Sequence, residues 1–392
     1  MNEVSRISKI ASSIAPSMIR RLFNLAKTMD DVVDFTLGDP DVQPHVNIKE
    51  SACRAIMTGK TRYSQNAGLI ELRECIGNRY HANEGLSYDP ATEIAVTVGA
   101  MEGLYLTLLS LINPGDEVII PAPFYVNYKQ MVEMCHGVPV IVSPSNKTSL
   151  SVSANDIENA VSTKTKAIII NSPSNPTGKI FSAETLNQIA GIAKKRNLVV
   201  ITDEVYKKLV YDNIECFNIA SIDGMKNHTV IINSLSKEFC MTGYRIGYIL
   251  GPEDIVSTVV KLQENVAACA PLPSQYAAIE AIGSNEDYSA EMVTTFTSRR
   301  NILCKTLENV PGLNVIVPEA TFYAMVDIRG LGYQSSEKFA YDLLNSAKVA
   351  VVPGIAYGDI CEGYVRIAFT LSEDRITEGT KRIAKFVESL NK

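Results

Sequence analysis

Histidine and paired cysteine are scarce in this sequence. Four histidines stand among 392 residues, and none of the eight cysteines has a partner at Cys-x-x-Cys spacing. That argues against a zinc site and a disulfide framework and toward a reducing compartment; no metal is expected. Long apolar runs are missing as well. No stretch approaches the ~18–20 apolar residues of a membrane span. Ser, Arg and Lys break up the N-terminal segment where a signal peptide would need an unbroken apolar core. Nor is positive charge in excess: the net charge is -6, with 20% charged residues, a balance that speaks against non-specific nucleic-acid binding. Repeats and low-complexity linkers are absent too. These absences leave a cytoplasmic enzyme as the expectation, with neither membrane nor nucleic acid as a partner.

What is present is apolar sequence in short, regularly spaced runs. With 46% hydrophobic residues the chain can bury a large core, and its length suggests two or three domains. Glu93–Val98, Glu117–Ile120, Thr165–Ile170, Asn197–Thr202 and Thr229–Ile232 read as strands. Tyr244–Leu250 reads as a further strand, weakened by two glycines. Between them lie helical patterns. Ser182 is placed to cap a helix whose Leu186, Ile189, Ala190 and Ala193 share one face. Such β-α-β alternation predicts an α/β fold with a mostly parallel sheet covered by helices on both faces. In such sheets ligands bind beyond the carboxyl ends of the strands. The last third differs. A long helix over 291–309 precedes the strand-like runs Phe322–Val326, Val349–Val352 and Tyr364–Phe369, with Pro353-Gly354 as a turn. This predicts a smaller mixed α/β unit beginning near residue 285.

Several residues at these strand ends carry chemistry. Lys237 follows the Thr229–Ile232 run in Asn233-Ser-Leu-Ser-Lys-Glu, with Arg245 eight residues on. Most lysines are simply solvated. A lysine depressed in pKa by burial and nearby positive charge can instead form a Schiff base with an aldehyde cofactor, and the serines and Arg245 can hold that cofactor's phosphate. Asp203 ends a buried strand. It is either a helix N-cap or the partner of a cation such as a protonated pyridine nitrogen. Asn175 lies in Asn171-Ser-Pro-Ser-Asn-Pro-Thr-Gly178, a plain turn or an amide aimed at a phenolic oxygen or carboxylate. Gly99-Ala100-Met101 opens a helix and could cradle phosphate. Tyr125 could stack on a flat ring or belong to the core. Arg366, set between apolar neighbours, is by default exposed; the alternative is a fork gripping a carboxylate.

Taken in order, Asn175, Asp203, Tyr206, Lys237, Arg245 and Arg366 resemble the site of the pyridoxal-phosphate aminotransferases of fold type I, class I/II, the aspartate and aromatic aminotransferases among them. The resemblance spans nearly the whole chain, from Leu37-Gly-Asp-Pro-Asp41 through Tyr63-Ser-Gln-Asn-Ala-Gly68 and the segments above to Val365–Thr370. It implies a large cofactor-binding domain, residues 46–285, with a mostly parallel seven-stranded sheet flanked by helices. It also implies a smaller α/β domain formed by both chain ends, residues 1–45 and 286–392. Lys237 would form the Schiff base and move the proton. Asp203 would hold the pyridine nitrogen of pyridoxal 5'-phosphate, Asn175 and Tyr206 its phenolate oxygen. Ser234, Ser236, Arg245 and the amides of Ala100 and Met101 would grip its phosphate, and Tyr125 would stack on its ring. Tyr63 would reach the phosphate of a neighbouring subunit, which implies a homodimer with shared active sites. Gly38, Asn175 and Arg366 would bind the substrate's α-carboxylate.

The implied activity is ping-pong transfer of an amino group from an acidic or aromatic L-amino acid to a 2-oxo acid such as 2-oxoglutarate. Some aspartate-preferring relatives carry a lysine where this chain has Met101, so that means of meeting a distal carboxylate is missing. Arg20, in Pro16–Phe23, could approach the side-chain pocket, although the solvated face of an amphipathic helix is the simpler reading. The rival within the cofactor class is a carbon–sulfur lyase. A regulator carrying this domain behind a DNA-binding helix-turn-helix is the rival outside it. The cofactor domain begins almost at residue 1, and no such module is expected.

Overall fold

The computed structural model describes residues 6–146 and 150–390. Its centre is a seven-stranded sheet in the order Ile94–Thr97, Gly247–Leu250, Thr229–Ser234, Val199–Asp203, Thr165–Asn171, Glu117–Pro121, Val138–Val142. Only Gly247–Leu250 runs against its neighbours; the remaining pairings are parallel. The inner strands are buried on both faces, which is why their sequences are unbroken β-branched runs. Side chains alternate between faces with a period of two. Ile201 packs with Leu104, Leu108 and Ile232 on one side; its neighbour Val200 packs with Leu186, Ile189 and Ala193 on the other. Removing one such side chain, as in Ile201→Ala, costs about 2–5 kcal/mol.

Local signals place the covering helices. The Ser182 hydroxyl accepts the Thr185 amide at 3.1 Å and starts Ala183–Arg196. Asn197, in the left-handed region at φ 52°, ends it, and the chain turns directly into Val199–Asp203.

Two expected strands are corrected. The Tyr244–Leu250 run is strand only over Gly247–Leu250. Thr242–Tyr244 forms a single 3-10 turn, and Arg245 is left-handed at φ 50°, which folds its guanidinium back over Gly99. The Val349–Val352 run divides between two sheets. Val349–Ala350 pairs in parallel with Val33–Asp34, while Val352–Pro353 pairs with Val365 and Arg366. Pro353 therefore belongs to an edge strand, where its missing N–H does no harm, and Gly354–Tyr357 makes the turn.

The C-terminal third forms an antiparallel sheet in the order Val352–Pro353, Tyr364–Ala368, Tyr323–Asp327, Asn314–Ile316. Phe296, Phe339, Ile376 and Phe386 from its helices share one core with Val326 and Ile367, and Leu22, Val33 and Phe35 from the start of the chain join the same core. Tyr206, Leu209 and Tyr211 from the middle of the chain lie in that core as well. No helix among the described residues is long and apolar enough to cross a membrane.

Candidate active site

The carboxyl ends of the central strands converge on one cavity of about 710 Å³. Asp203 is the last residue of its strand and Ser234 the last of the next. The single-turn helix Leu235–Glu238 follows and carries Ser236 and Lys237. Asn175 is delivered by the loop after Thr165–Asn171, where Asn171 Oδ1 accepts the Asn175 amide at 2.8 Å. Helix Gly99–Leu111 begins at the same wall with Ala100 and Met101. Thr36, Gly38, Tyr125, Tyr206, Arg245 and Arg366 also line the cavity. Twelve of the thirteen expected site residues therefore meet. Tyr63 does not; it is 86% exposed and lies outside the cavity lining.

Lys237 is half-buried, and its ammonium donates to the Gly38 carbonyl at 2.7 Å. Burial lowers its pKa to about 8; the positive charges of Arg245 and Arg366 pull the same way, against Asp39. A Cβ on Gly38 would lie 1.7 Å from the Tyr323 hydroxyl oxygen, so only glycine lets this loop come so close to the lysine. Asp203 is buried and accepts from the Tyr128 hydroxyl at 2.7 Å and the Val205 amide at 3.3 Å. Burial holds its pKa above the usual range, outweighing both donors. It caps no helix, since the chain after it makes turns.

Arg366 overturns the default of exposure. It is 2% exposed and lies between the rings of Tyr323 and Tyr357, at 4.3 and 5.2 Å from their centroids. One nitrogen donates to Asn175 Oδ1 at 3.2 Å and another to the Thr36 carbonyl. Its Nε has no partner, and no carboxylate among the described residues pairs with it. A buried guanidinium left so is costly unless an anion arrives. At the other end of the cavity, the first-turn amides of Gly99–Leu111 have no partner within their own helix. Gly99 is left-handed at φ 76°, and a Cβ there would be 2.7 Å from an Arg245 nitrogen. Gly247 likewise lets the Ala100 amide approach. Ser234, Ser236 and Arg245 complete a donor-rich corner.

Two neighbours of the cavity were not foreseen. Tyr128 holds Asp203, and the Tyr323 hydroxyl meets that of Tyr206 at 3.2 Å. Tyr128 falls three residues after Tyr125 in an aromatic stretch, the one hint the sequence offers; nothing local marks Tyr323. Arg20, read as solvated, is indeed exposed, yet it lines the cavity beside Ser17 and Ile19.

The family described as "Aminotransferase class I and II" matches residues 30–383. The chain belongs to that family. This transaminase is 38% identical to an aspartate aminotransferase of Pyrococcus abyssi, over 95% of this chain and 96% of that one. It is 37% identical to aromatic-amino-acid aminotransferase 2 of Thermococcus litoralis, over 96% of each. Among solved structures, the aromatic aminotransferase of Pyrococcus horikoshii superimposes with a TM-score of 0.89 at 36% identity, covering 94% of this chain and 99% of that one.

Aminotransferases of class I and II use pyridoxal 5'-phosphate. The residues present fit that group. A buried carboxylate without a cation, a lysine below its ordinary pKa, and a glycine-lined helix N-terminus beside an arginine match a pyridinium, an aldehyde and a phosphate in turn.

Proposed function

We propose that this aminotransferase moves an amino group between an acidic or aromatic L-amino acid and a 2-oxo acid such as 2-oxoglutarate, in two half-reactions of ping-pong form. The observation that carries the reading is Arg366, a buried guanidinium without a carboxylate in the same cavity as Lys237. Its fork suits an α-carboxylate bidentately, with Asn175 and Gly38 beside it. Gripped there, a substrate presents its α-hydrogen toward the lysine.

Pyridoxal 5'-phosphate, when bound, supplies an aldehyde carbon and an electron-withdrawing ring. The protein's own groups do the rest. Lys237 Nζ, with a pKa near 8, is a base of suitable strength to take the α-proton and return it two atoms along, a 1,3-shift. The Gly38 carbonyl steadies it. Asp203, fixed by Tyr128, would hold positive charge at the ring nitrogen. Tyr206 and Asn175 would donate to the phenolic oxygen. Ser234, Ser236, Arg245 and the amides of Ala100 and Met101 would hold the phosphate, and Tyr125 would cover the ring. Tyr63, exposed on its own chain, reaches the site of a second subunit, so the working form is a homodimer. The residues divide as 46–285 for the cofactor domain and 1–45 with 286–392 for the smaller one.

The preference for acidic and aromatic substrates rests on the far wall. It combines apolar Met101 with tyrosine rings, and the Arg20 guanidinium stands at its edge. Relatives named for aspartate and for aromatic amino acids support both classes. The test is a screen of amino donors against 2-oxoglutarate. Glutamate formed from aspartate, phenylalanine or tyrosine, with parallel double-reciprocal plots, is the expected result. Pyruvate and ammonia from a sulfur amino acid, with no glutamate, would point to the lyase.

A further inference from the structure

Two carboxylates sit next in sequence to the cavity residues yet point their charge elsewhere. Glu238 follows Lys237 and Glu204 follows Asp203. Both are buried, and neither lines the cavity. Helix Ile70–Glu84 meets both neighbourhoods from behind with its last two turns. Arg79 pairs with Glu238 and lies over the ring of Phe239, 5.5 Å from its centroid. The Tyr80 hydroxyl accepts from Asn233 Nδ2 at 3.1 Å, and Asn233 Oδ1 in turn accepts the Ser234 amide at 2.8 Å. Glu84 pairs at 3.0 Å with Lys207, whose ammonium also reaches Glu204 at 3.1 Å. One stretch of helix therefore touches the lysine turn, the serine strand end and the Asp203 turn.

Stability does not account for this arrangement. A buried ion pair rarely outperforms apolar side chains of the same volume. Position does account for it. Lys237 rides on a helix of four residues, too short to hold its own orientation. The turn needs an outside anchor, and the buried pair between the Glu238 carboxylate and one terminal nitrogen of Arg79 is one.

We propose that Arg79 and Glu238 are positioning residues of this aminotransferase, a buckle that sets the angle at which the Leu235–Glu238 turn presents Lys237 to the cavity. This rests on the reading of Lys237 as the reacting amine.

The test replaces the buckle by apolar volume in the full chain, R79L/E238M, and shortens it in a second variant, E238D. Three quantities are read on cofactor-loaded protein: kcat and KM for the amino donor, the pH midpoint of the visible absorption band, and the melting temperature. For R79L/E238M the melting temperature stays at or above that of the parent, kcat falls about 10- to 100-fold with KM within about twofold, and the band midpoint moves. E238D keeps the charge and the fold and loses about three- to tenfold in kcat with a smaller midpoint shift. Parental kcat and midpoint in E238D overturn the proposal, whether or not the double variant folds. Lys237→Ala separates the two readings. If it keeps the band, the assignment of Lys237 fails. If it loses the band while E238D behaves as the parent, only the buckle fails.

Discussion

The molecule buries charge in two regions by opposite rules. Around the cavity, Lys237, Asp203 and Arg366 have no ion-pair partner among the described residues. In the shell behind and beside it, most buried charges have one: Lys207 with Glu84 and Glu204, Arg299 with Asp41 at 2.6 Å, Arg300 with Asp212 at 2.6 Å; Arg73 is the exception, held by the Pro90 and Ala91 carbonyls and Gln65. Two half-buried lysines, Lys207 and Lys237, show the consequence. Burial depresses both, but the carboxylates around Lys207 outweigh it and raise that pKa, whereas Lys237 is left at about 8. Unpaired charge is destabilising, and its concentration at one place marks where the fold expects a ligand to supply the missing partner.

The contrast between the lysines gives the largest effect. Lys237→Ala should lower transamination by about 10⁴-fold or more with little change in melting temperature. Lys207→Met should do the reverse, lowering stability because Glu204 is left buried and unpaired, while a measurable rate survives. Equal rates in the two variants would erase the distinction between the regions.

The arginines come next. Arg366→Met should reduce kcat/KM for the amino donor about 10²–10³-fold and leave denaturant stability unchanged or higher. Arg300→Met should lose about 1–2 kcal/mol of stability, Asp212 being largely exposed, with near-parental turnover. A destabilised Arg366→Met would mean that this guanidinium is structural after all.

The smallest effect is in pH. The folded pKa of Lys237 lies below the ~10.4 of a free lysine. The folded chain therefore sheds that proton first, and between the two values the unfolded chain binds more protons. Cofactor-free protein should take up pyridoxal 5'-phosphate faster as pH rises through about 8, then level off. A rate that still climbs toward pH 10 would assign Lys237 to the ordinary, solvated class.

The cavity's lower rim was legible in the sequence because parallel strands are written as unbroken apolar runs, and Asp203, Ser234 and Lys237 fall where those runs stop. The cap at Ser182 was legible for the same local reason. Contacts made across long separations were not. Tyr128 meets Asp203 over 75 residues and Tyr206 meets Tyr323 over 117, and no periodicity encodes either. Arg366 sits in a strand whose alternation permits either face; the rings of Tyr323 and Tyr357 settle the matter, and only folding brings them there. The edge strand Val138–Val142 escaped notice because Pro139 interrupts it and Val138 and Ile141 are exposed.

The bond from Arg366 to the carbonyl of Thr36 spans 330 residues, and Lys237 reaches Gly38 across 199. On the ribosome, the loop that covers the lysine is among the first segments made, and the side chain that secures it among the last. A growing chain halted between residues 237 and 366 contains Lys237 and the strands that carry it, yet lacks the Arg366 guanidinium. Its lysine then lies under a loop that nothing yet secures, and completion of strand Tyr364–Ala368 is what fastens that loop.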